Sequence, residues 1–350
     1  MRTLEWNPSK FELQMIDQRL LPARFEIVTY RDAAGVAESI RDMVVRGAPA
    51  IGVAAAYGLA LEACRSKAAT VSELLAQVNQ AGVLLKAARP TAVNLAWAVD
   101  RVLKVAVQPA SNVDEVRQRL IDLAARMADE DVETNLRIAR YGAELVNDGD
   151  TIIHHCNTGA LATVDWGTAL GILRTAHESG KHIHVLVDET RPRLQGARLT
   201  AWELQQYNIP FSIISDNAAG YFLRSGKVNR VFFGADRVAA NGDVVNKVGS
   251  YMLALAAHAN HVPVHSVFPL STVDLTVACG DDIEIEERDE SEVLDIQIKG
   301  EPATPVGAHA RNPAFDITPH HLLTGMVTDA GVITQPLGAN LAEAVRKSQS

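Results

Sequence analysis

A cysteine stands where a strand-like run ends and a loop of small residues begins. Thr151-Ile152-Ile153-His154 leads into His155-Cys156-Asn157-Thr158-Gly159-Ala160-Leu161-Ala162-Thr163, and a helix-like run opens at Gly167-Thr168-Ala169-Leu170-Gly171. In open α/β sheets that edge is where ligands bind. A second edge, Val231-Phe232-Phe233-Gly234-Ala235-Asp236, carries an aspartate in the same relative place. Cys156 and Asp236, delivered to one crevice from two strand ends, form a candidate catalytic pair. Other strand ends add Asp188-Glu189-Thr190-Arg191-Pro192-Arg193-Leu194-Gln195-Gly196, Ser215-Asp216-Asn217, Asn241-Gly242-Asp243 and Asn246-Lys247. Loops after strands are polar in any case, but the density of Arg, Gln, Asn and Lys beside the pair favours a site.

Arg46-Gly47-Ala48-Pro49-Ala50 suggests an anion cradle. Pro49 suits a helix start, where its missing N–H costs nothing, and the N–H groups of a helix N-terminus attract anions. The plainer reading is a turn. Arg89-Pro90-Thr91 likewise punctuates two helical runs. No GxGxxG follows the first strand and no GxxxxGK[ST] occurs, so the ligand is neither NAD nor ATP by motif. His154, His155 and Cys156 are adjacent, and neighbours on a strand face opposite ways, which speaks against a shared metal ion. No metal is expected.

These edges require a sheet to build them. Strand-like runs at Thr151–His155, His182–Val187, Pro210–Ile214, Arg230–Phe233 and Pro263–Val267 alternate with helical runs at 168–178, 197–207, 217–225 and 245–260. Such alternation predicts a Rossmann-like parallel sheet with helices on both faces. Ahead of it, Phe11–Ile16 and Arg24–Tyr30 alternate with period two and predict a small antiparallel β element. Five runs with helical apolar spacing follow, near 33–45, 49–66, 71–88, 94–107 and 113–146, the last long enough for two helices. The character changes at Asn147-Asp148-Gly149-Asp150. The expected division is therefore a β-prefaced helical domain, 1–147, and a Rossmann-like α/β catalytic domain, 148–350. The acidic stretch from Gly280 to Glu292 reads as an extended loop.

Composition excludes several classes. Apolar residues make up 47 % of the chain, enough for a large core and too many for a disordered one. Lys and Arg number 33 against 42 Asp and Glu, and a net charge of −9 argues against a nucleic-acid surface. No apolar stretch reaches transmembrane length, and Met1-Arg2-Thr3-Leu4-Glu5-Trp6 lacks the apolar run of a signal peptide. Cys64, Cys156 and Cys279 are odd in number and widely spaced, which fits a reducing cytoplasm rather than a disulfide framework.

With these residues assembled, the sequence resembles the methylthioribose-1-phosphate isomerase family of methionine salvage, over nearly its whole length. The carrying segments are Arg46–Gly52, Arg89–Leu95, His155–Gly159, Glu189–Thr200, Gly234–Asp243, Asn246–Gly249 and Asn312-Pro313-Ala314-Phe315-Asp316. The resemblance implies conversion of 5-methylthio-α-D-ribose 1-phosphate to 5-methylthio-D-ribulose 1-phosphate, a sugar-phosphate substrate, a homodimer, and no metal or organic cofactor. It implies Asp236 as proton donor and Cys156 as the other catalytic residue, with Arg46, Gly47, Ala48, Arg89, Gln195, Asn246 and Lys247 binding substrate. Two relatives within the wider superfamily compete: ribose-1,5-bisphosphate isomerases, and the non-catalytic regulatory subunits of the eukaryotic translation-initiation exchange factor. A nucleotide-binding regulator is a third alternative, from fold alone. The retained Cys156 and Asp236 disfavour the non-catalytic readings. The run Arg193-Leu194-Gln195-Gly196-Ala197-Arg198-Leu199-Thr200-Ala201-Trp202 favours the methylthio enzyme over the bisphosphate enzyme by resemblance.

The implied substrate poses a chemical problem. Its anomeric oxygen carries the phosphate, so simple ring opening is blocked and the ring oxygen must be protonated as its bond to C1 breaks. That calls for a protonated acid, and desolvation by apolar neighbours is what keeps a carboxyl protonated. Cys156 would then act at C2, as base in an enolate route or by stabilising charge in a hydride shift.

Overall fold

The computed structural model describes residues 1–90 and 92–348, so Thr91 of the Arg-Pro-Thr segment lies outside it. Contacts divide the chain into two compact units: Met1–Leu136 with Thr158–Gly167, and Arg137–Asn157 with the chain from Thr168 onward. The division falls inside one long helix whose apolar face changes core along its length. Val116, Leu120, Leu123 and Met127 belong to the first unit's core, whereas Ile138 and Ala143 belong to a core of the second.

The first unit opens with strands β1 (Leu4–Asn7), β2 (Glu12–Ile16) and β3 (Ile27–Tyr30), an antiparallel sheet in the order β1-β2-β3. Four helices follow: α1 (Ala33–Arg41), α2 (Ala48–Arg65), α3 (Val71–Ala88) and α4 (Val93–Ala106), and then the long α5 (Val113–Ala143). The last apolar run is therefore a single helix. α2 is buried from Ala50 to Leu61, because Ala, Gly, Val, Ile and Leu occupy nearly every face of that stretch. A helix apolar all round must lie inside its unit. α3 starts at a capping box in which Thr70 and Glu73 satisfy each other's backbone N–H groups.

The second unit is built on seven strands: β4 (Thr151–His154), β5 (His184–Asp188), β6 (Phe211–Ile214), β7 (Arg230–Phe233), β10 (Val264–Val267), β15 (Gly325–Thr328) and β16 (Gly331–Thr334). Their order is β16-β15-β10-β7-β4-β5-β6, parallel except for the edge strand β16. Successive residues of the central strands feed opposite cores. Ile152, Val185, Val187 and Phe232 pack with α6 (Ala169–Glu178) and α7 (Ala201–Gln206), and Ile153, Leu186, Val231 and Phe233 pack with α8 (Ala219–Arg224), α9 (Ser250–Ala259) and α11 (Leu337–Ser348). Burial on both faces explains why these strands read as continuous apolar runs.

A second sheet corrects one expectation. β8 (Arg237–Ala239) and β9 (Val244–Lys247) pair antiparallel, flanked by β11 (Val273–Asp274) and β14 (Phe315–Thr318). The run expected to be helical from 245 thus begins as a strand, and α9 starts only after Gly249, whose φ of +105° breaks the chain direction. The acidic stretch after Gly280 contains a short turn at Gly280–Asp282 and a one-turn helix, α10 (Ser291–Leu294). It is followed by the hairpin β12 (Gln297–Ile298) and β13 (Glu301–Pro302).

Candidate active site

β4 is where the parallel order reverses: β5 and β6 lie on one side of it, β7, β10 and β15 on the other. In doubly wound sheets the ligand crevice lies outside the carboxyl ends of the strands at such a switch point. Cys156 follows β4 and Asp236 follows the adjacent β7, with His154 opposite Phe232. Gln195 follows β5, the neighbour of β4 on its other side.

The cysteine is held tightly. Cys156 is buried, and its φ of +64° is a left-handed conformation that side chains rarely adopt. Its N–H donates to Thr190 Oγ1 at 2.9 Å, and its carbonyl accepts from Thr200 Oγ1 at 2.7 Å. Thr190, itself at φ +61°, donates its hydroxyl to the Asp188 carbonyl at 3.0 Å and its N–H to Asp216 Oδ1 at 2.7 Å. Asn157 Nδ2 donates to Thr200 Oγ1 at 3.1 Å and to the buried Glu203 Oε1 at 2.8 Å. Thr200 closes a π-helical turn over Gly196–Thr200, a distortion frequent at functional sites. Just ahead of that turn, Gln195 is buried and its Oε1 has no hydrogen-bond partner.

Asp236 is half-buried, and its N–H donates to the Val245 carbonyl at 2.8 Å, which ties it to β9. On that strand Asn246 and Lys247 are only 4 % and 6 % exposed. Asn246 Nδ2 donates to Ser250 Oγ at 2.7 Å. Lys247 Nζ donates to the Ala314 carbonyl at 2.7 Å and lies 4.5 Å from the centre of the Phe315 ring. The Asn-Pro-Ala-Phe-Asp segment thereby acquires a structural reason: β14 sets Phe315 opposite Lys247 and Asp316 opposite Asn246. Asp316 accepts the N–H groups of Gly249 and Tyr251 at the start of α9, and burial pushes its carboxyl up to about 6.

His154 and His155 make separate sets of contacts. His154 Nδ1 lies 3.0 Å from the Phe232 carbonyl, and burial pushes its ring down to about 4. His155 reaches Asp188 Oδ2 from Nδ1 at 2.8 Å and the Val248 carbonyl from Nε2 at 3.0 Å. His155, Asp188 and Asp216 bring ligand-type atoms within 4.8 Å of one another. Both His155 nitrogens are engaged, and the two Asp216 oxygens accept the N–H groups of Thr190 and Arg191 at 2.7 Å each. These atoms form a hydrogen-bonded network, whereas the buried Asp188 Oδ1 has no hydrogen-bond partner. Thr190, Thr200 and His155 fall within the segments that the sequence singles out, but nothing in the pattern assigns them these contacts.

In the first unit, Arg46, Gly47 and Ala48 are half-buried at the start of α2. Gly47 has φ +99°, and a Cβ there would lie 2.2 Å from the Ala162 carbonyl oxygen, so only glycine fits. The α2 N-terminus has no side-chain cap, and Pro49 takes its second position. Arg89 ends α3 and is half-buried.

Known proteins similar to this chain include both enzymes and translation factors. The model of the initiation factor 2 subunit family matches residues 44–335. A methylthioribose-1-phosphate isomerase of Synechococcus sp. is 50 % identical over 342 residues, 98 % of this chain and 97 % of that protein. Among solved structures, 5-methylthioribose 1-phosphate isomerase from Pyrococcus horikoshii OT3 matches with a TM-score of 0.91 at 44 % identity, covering 99 % of this chain and 96 % of that one. The translation initiation factor eIF-2B delta subunit from A. fulgidus matches with a TM-score of 0.88 at 39 % identity, covering 99 % of each chain.

Proposed function

This chain belongs to the initiation factor 2 subunit family, and from that premise we propose that it is an isomerase of methionine salvage. It converts 5-methylthio-α-D-ribose 1-phosphate to 5-methylthio-D-ribulose 1-phosphate. Fold likeness reaches a translation factor as well as an isomerase, and fold alone does not decide function. The observation that carries the enzyme reading is the clamped, left-handed Cys156 at the switch point of the sheet. Backbone strain of this kind, held in place by its surroundings, clusters at active sites.

In this reading Asp236 protonates the ring oxygen as its bond to C1 breaks. Cys156 acts at C2, either removing the proton to give an enolate or stabilising charge while hydride moves from C2 to C1. One hydrogen moves from C2 to C1, and the C2 hydroxyl gives up its proton as the carbonyl forms, replacing the proton that Asp236 gave to the ring oxygen, so the reaction needs no external oxidant or reductant. Arg46, Gly47, Ala48, Arg89, Gln195, Asn246 and Lys247 are proposed to bind substrate. Arginine presents a planar fork to phosphate oxygens and lysine a point charge. The unpartnered Gln195 Oε1 and the α2 N-terminus without a side-chain cap support these roles.

The reading extends to a cytoplasmic homodimer. Three cysteines without a disulfide suit a reducing compartment, and no helix among the described residues is long and apolar enough to cross a membrane. Tyr221, Met252 and Leu255 are exposed apolar side chains on α8 and α9, the kind of surface that self-association covers.

The test is turnover of methylthioribose 1-phosphate by the purified protein, followed by NMR. Appearance of the ketose phosphate is expected, and no conversion would refute the assignment. Solvent deuterium at C1 of the product would favour the enolate route. A thiol alkylating reagent should abolish turnover by modifying Cys156, with saturating substrate slowing the reaction at Cys156 but not at Cys64 or Cys279. Full activity in Cys156→Ser would remove the thiol from the mechanism.

A further inference from the structure

One buried ionisable pair stands outside the proposed catalytic and binding set. His155 is fully buried, and both its ring nitrogens face oxygen acceptors. The Val248 carbonyl can only accept, so Nε2 carries a proton. Asp188 Oδ2, 2.8 Å from Nδ1, shares a second proton with the ring. Burial works against a charged imidazole. The hydrogen bond and charge of Asp188, with Asp216 and the Val248 carbonyl adding to them, outweigh burial and raise the ring above its ordinary range. The ionisable groups around the ring are Asp188 at the end of β5, Asp216 after β6, Asp316 on β14 and His154 on β4.

The seat for this ring is built into the backbone. Gly249 has φ +105°, and a Cβ there would lie 2.7 Å from His155 Cε1. Three chain segments meet at the ring. The end of β4 runs through His155 directly into Cys156. The end of β5 supplies Asp188, whose carbonyl accepts from the Thr190 hydroxyl that in turn receives the Cys156 N–H. The end of β9 leads into Val248, next in chain to Lys247.

We propose that His155 is a positioning residue for the isomerisation, which together with Asp188 fixes the Cys156 backbone against the Asn246-Lys247 end of β9. The proposal rests on the reading of Cys156 and Lys247 as substrate-facing groups. His155 itself touches no reacting atom. Its contribution is geometric, and a displacement of about 1 Å at a reacting group can cost roughly 10²-fold in rate. The loss should therefore fall on kcat and leave substrate affinity largely intact.

The experiment compares wild type with His155→Leu, His155→Gln and Asp188→Asn in kcat, in KM for methylthioribose 1-phosphate and in thermal midpoint. His155→Leu should lower kcat roughly 10- to 100-fold while KM stays within about threefold. His155→Gln retains an amide donor for the Val248 carbonyl and should recover part of that loss. Asp188→Asn should lower kcat and shift its pH dependence, because the ring loses its counter-charge. If His155→Leu does not fold, the two conservative variants carry the test. Wild type without turnover would overturn the isomerase reading and this proposal with it. An active wild type with kcat within about twofold in the folded variants would overturn this proposal alone. So would a loss of kcat that only follows the folded fraction.

Discussion

Thr200→Val would break the clamp on Cys156 at one atom while keeping the side-chain shape. Thr200 is fully buried, and its hydroxyl donates to the Cys156 carbonyl at 2.7 Å while accepting from Asn157 at 3.1 Å. The substitution replaces that hydroxyl with a methyl group. Asn157 retains Glu203 as a partner, so the lost hydrogen bond is the one to the Cys156 carbonyl. Removing a hydrogen bond to a buried group costs about 1–3 kcal/mol. The left-handed conformation of a non-glycine residue stores roughly 1–3 kcal/mol more, which the clamp holds in place. Stability should fall by about 1–3 kcal/mol in urea denaturation. Release of the strained backbone moves the thiol, and each 1.4 kcal/mol or so of lost alignment is about tenfold in rate. We expect kcat to drop roughly 10- to 100-fold with KM little changed. Thr200→Ser keeps the hydroxyl and should retain most activity. Wild-type kcat in Thr200→Val would show that the hydroxyl does not place the cysteine, whatever happens to stability.

Three further outcomes are expected. Asp236→Asn keeps shape but removes the transferable proton, and steady-state turnover should fall roughly 10²–10⁴-fold, with near-normal turnover excluding Asp236 as the acid. Arg46→Ala and Arg89→Ala should each weaken substrate affinity about ten- to hundredfold, corresponding to charge-assisted hydrogen bonds of about 1.5–3 kcal/mol, and unchanged affinity in both would defeat the phosphate assignment. Acid should destabilise the second unit through its buried histidines. Burial lowers His154 from 6.5 to about 4 and His265 from 6.5 to about 3, so both are neutral in the fold and take up protons more readily when unfolded. The stability they contribute is present above pH 6.5 and lost as pH falls through the folded values. The lowering of the His154 ring alone corresponds to roughly 3 kcal/mol. Urea midpoints measured from pH 7 to 4 should fall less steeply in His154→Gln, and an identical slope in that variant would contradict the assignment.

The parallel sheet is legible in the sequence because its strands are buried on both faces and separated by helical periods, so each is an apolar run bounded by polar turns. The placement of Cys156 and Asp236 after neighbouring strands is legible for a related reason: residues that follow parallel strands share one edge, whatever their separation in sequence. β9 is not legible. Val244-Val245-Asn246-Lys247 runs into the apolar helix α9 with only Val248 and Gly249 between, and the combined stretch satisfies a helical period. Only pairing with β8 and β14 makes it a strand, and that pairing is tertiary. The clamp is invisible for the same reason. Thr200 sits between Leu199 and Ala201, where a threonine carries no local signal, and its partner lies 44 residues earlier. Likewise His155 acquires its meaning from Asp188 and Val248, at separations of 33 and 93 residues.

A fold that matches both an isomerase and a translation factor at TM-scores of 0.91 and 0.88 places the burden of distinction on local geometry. A docking surface requires shape and charge, and neither requires a side chain to sit at positive φ. Here Cys156 and the β-branched Thr190 both do so, at +64° and +61°, on two neighbouring strand ends. For a β-branched residue that conformation is an outlier, costing about 1–3 kcal/mol. The chain offsets it with linked hydrogen bonds that converge on one backbone unit: Thr190 on the Cys156 N–H, Thr200 on its carbonyl, and Asp216 on the Thr190 N–H. Relaxing the loop to ordinary backbone angles would be the simpler route to stability. Strain that is retained and braced from several elements supports the preorganised thiol proposed for Cys156.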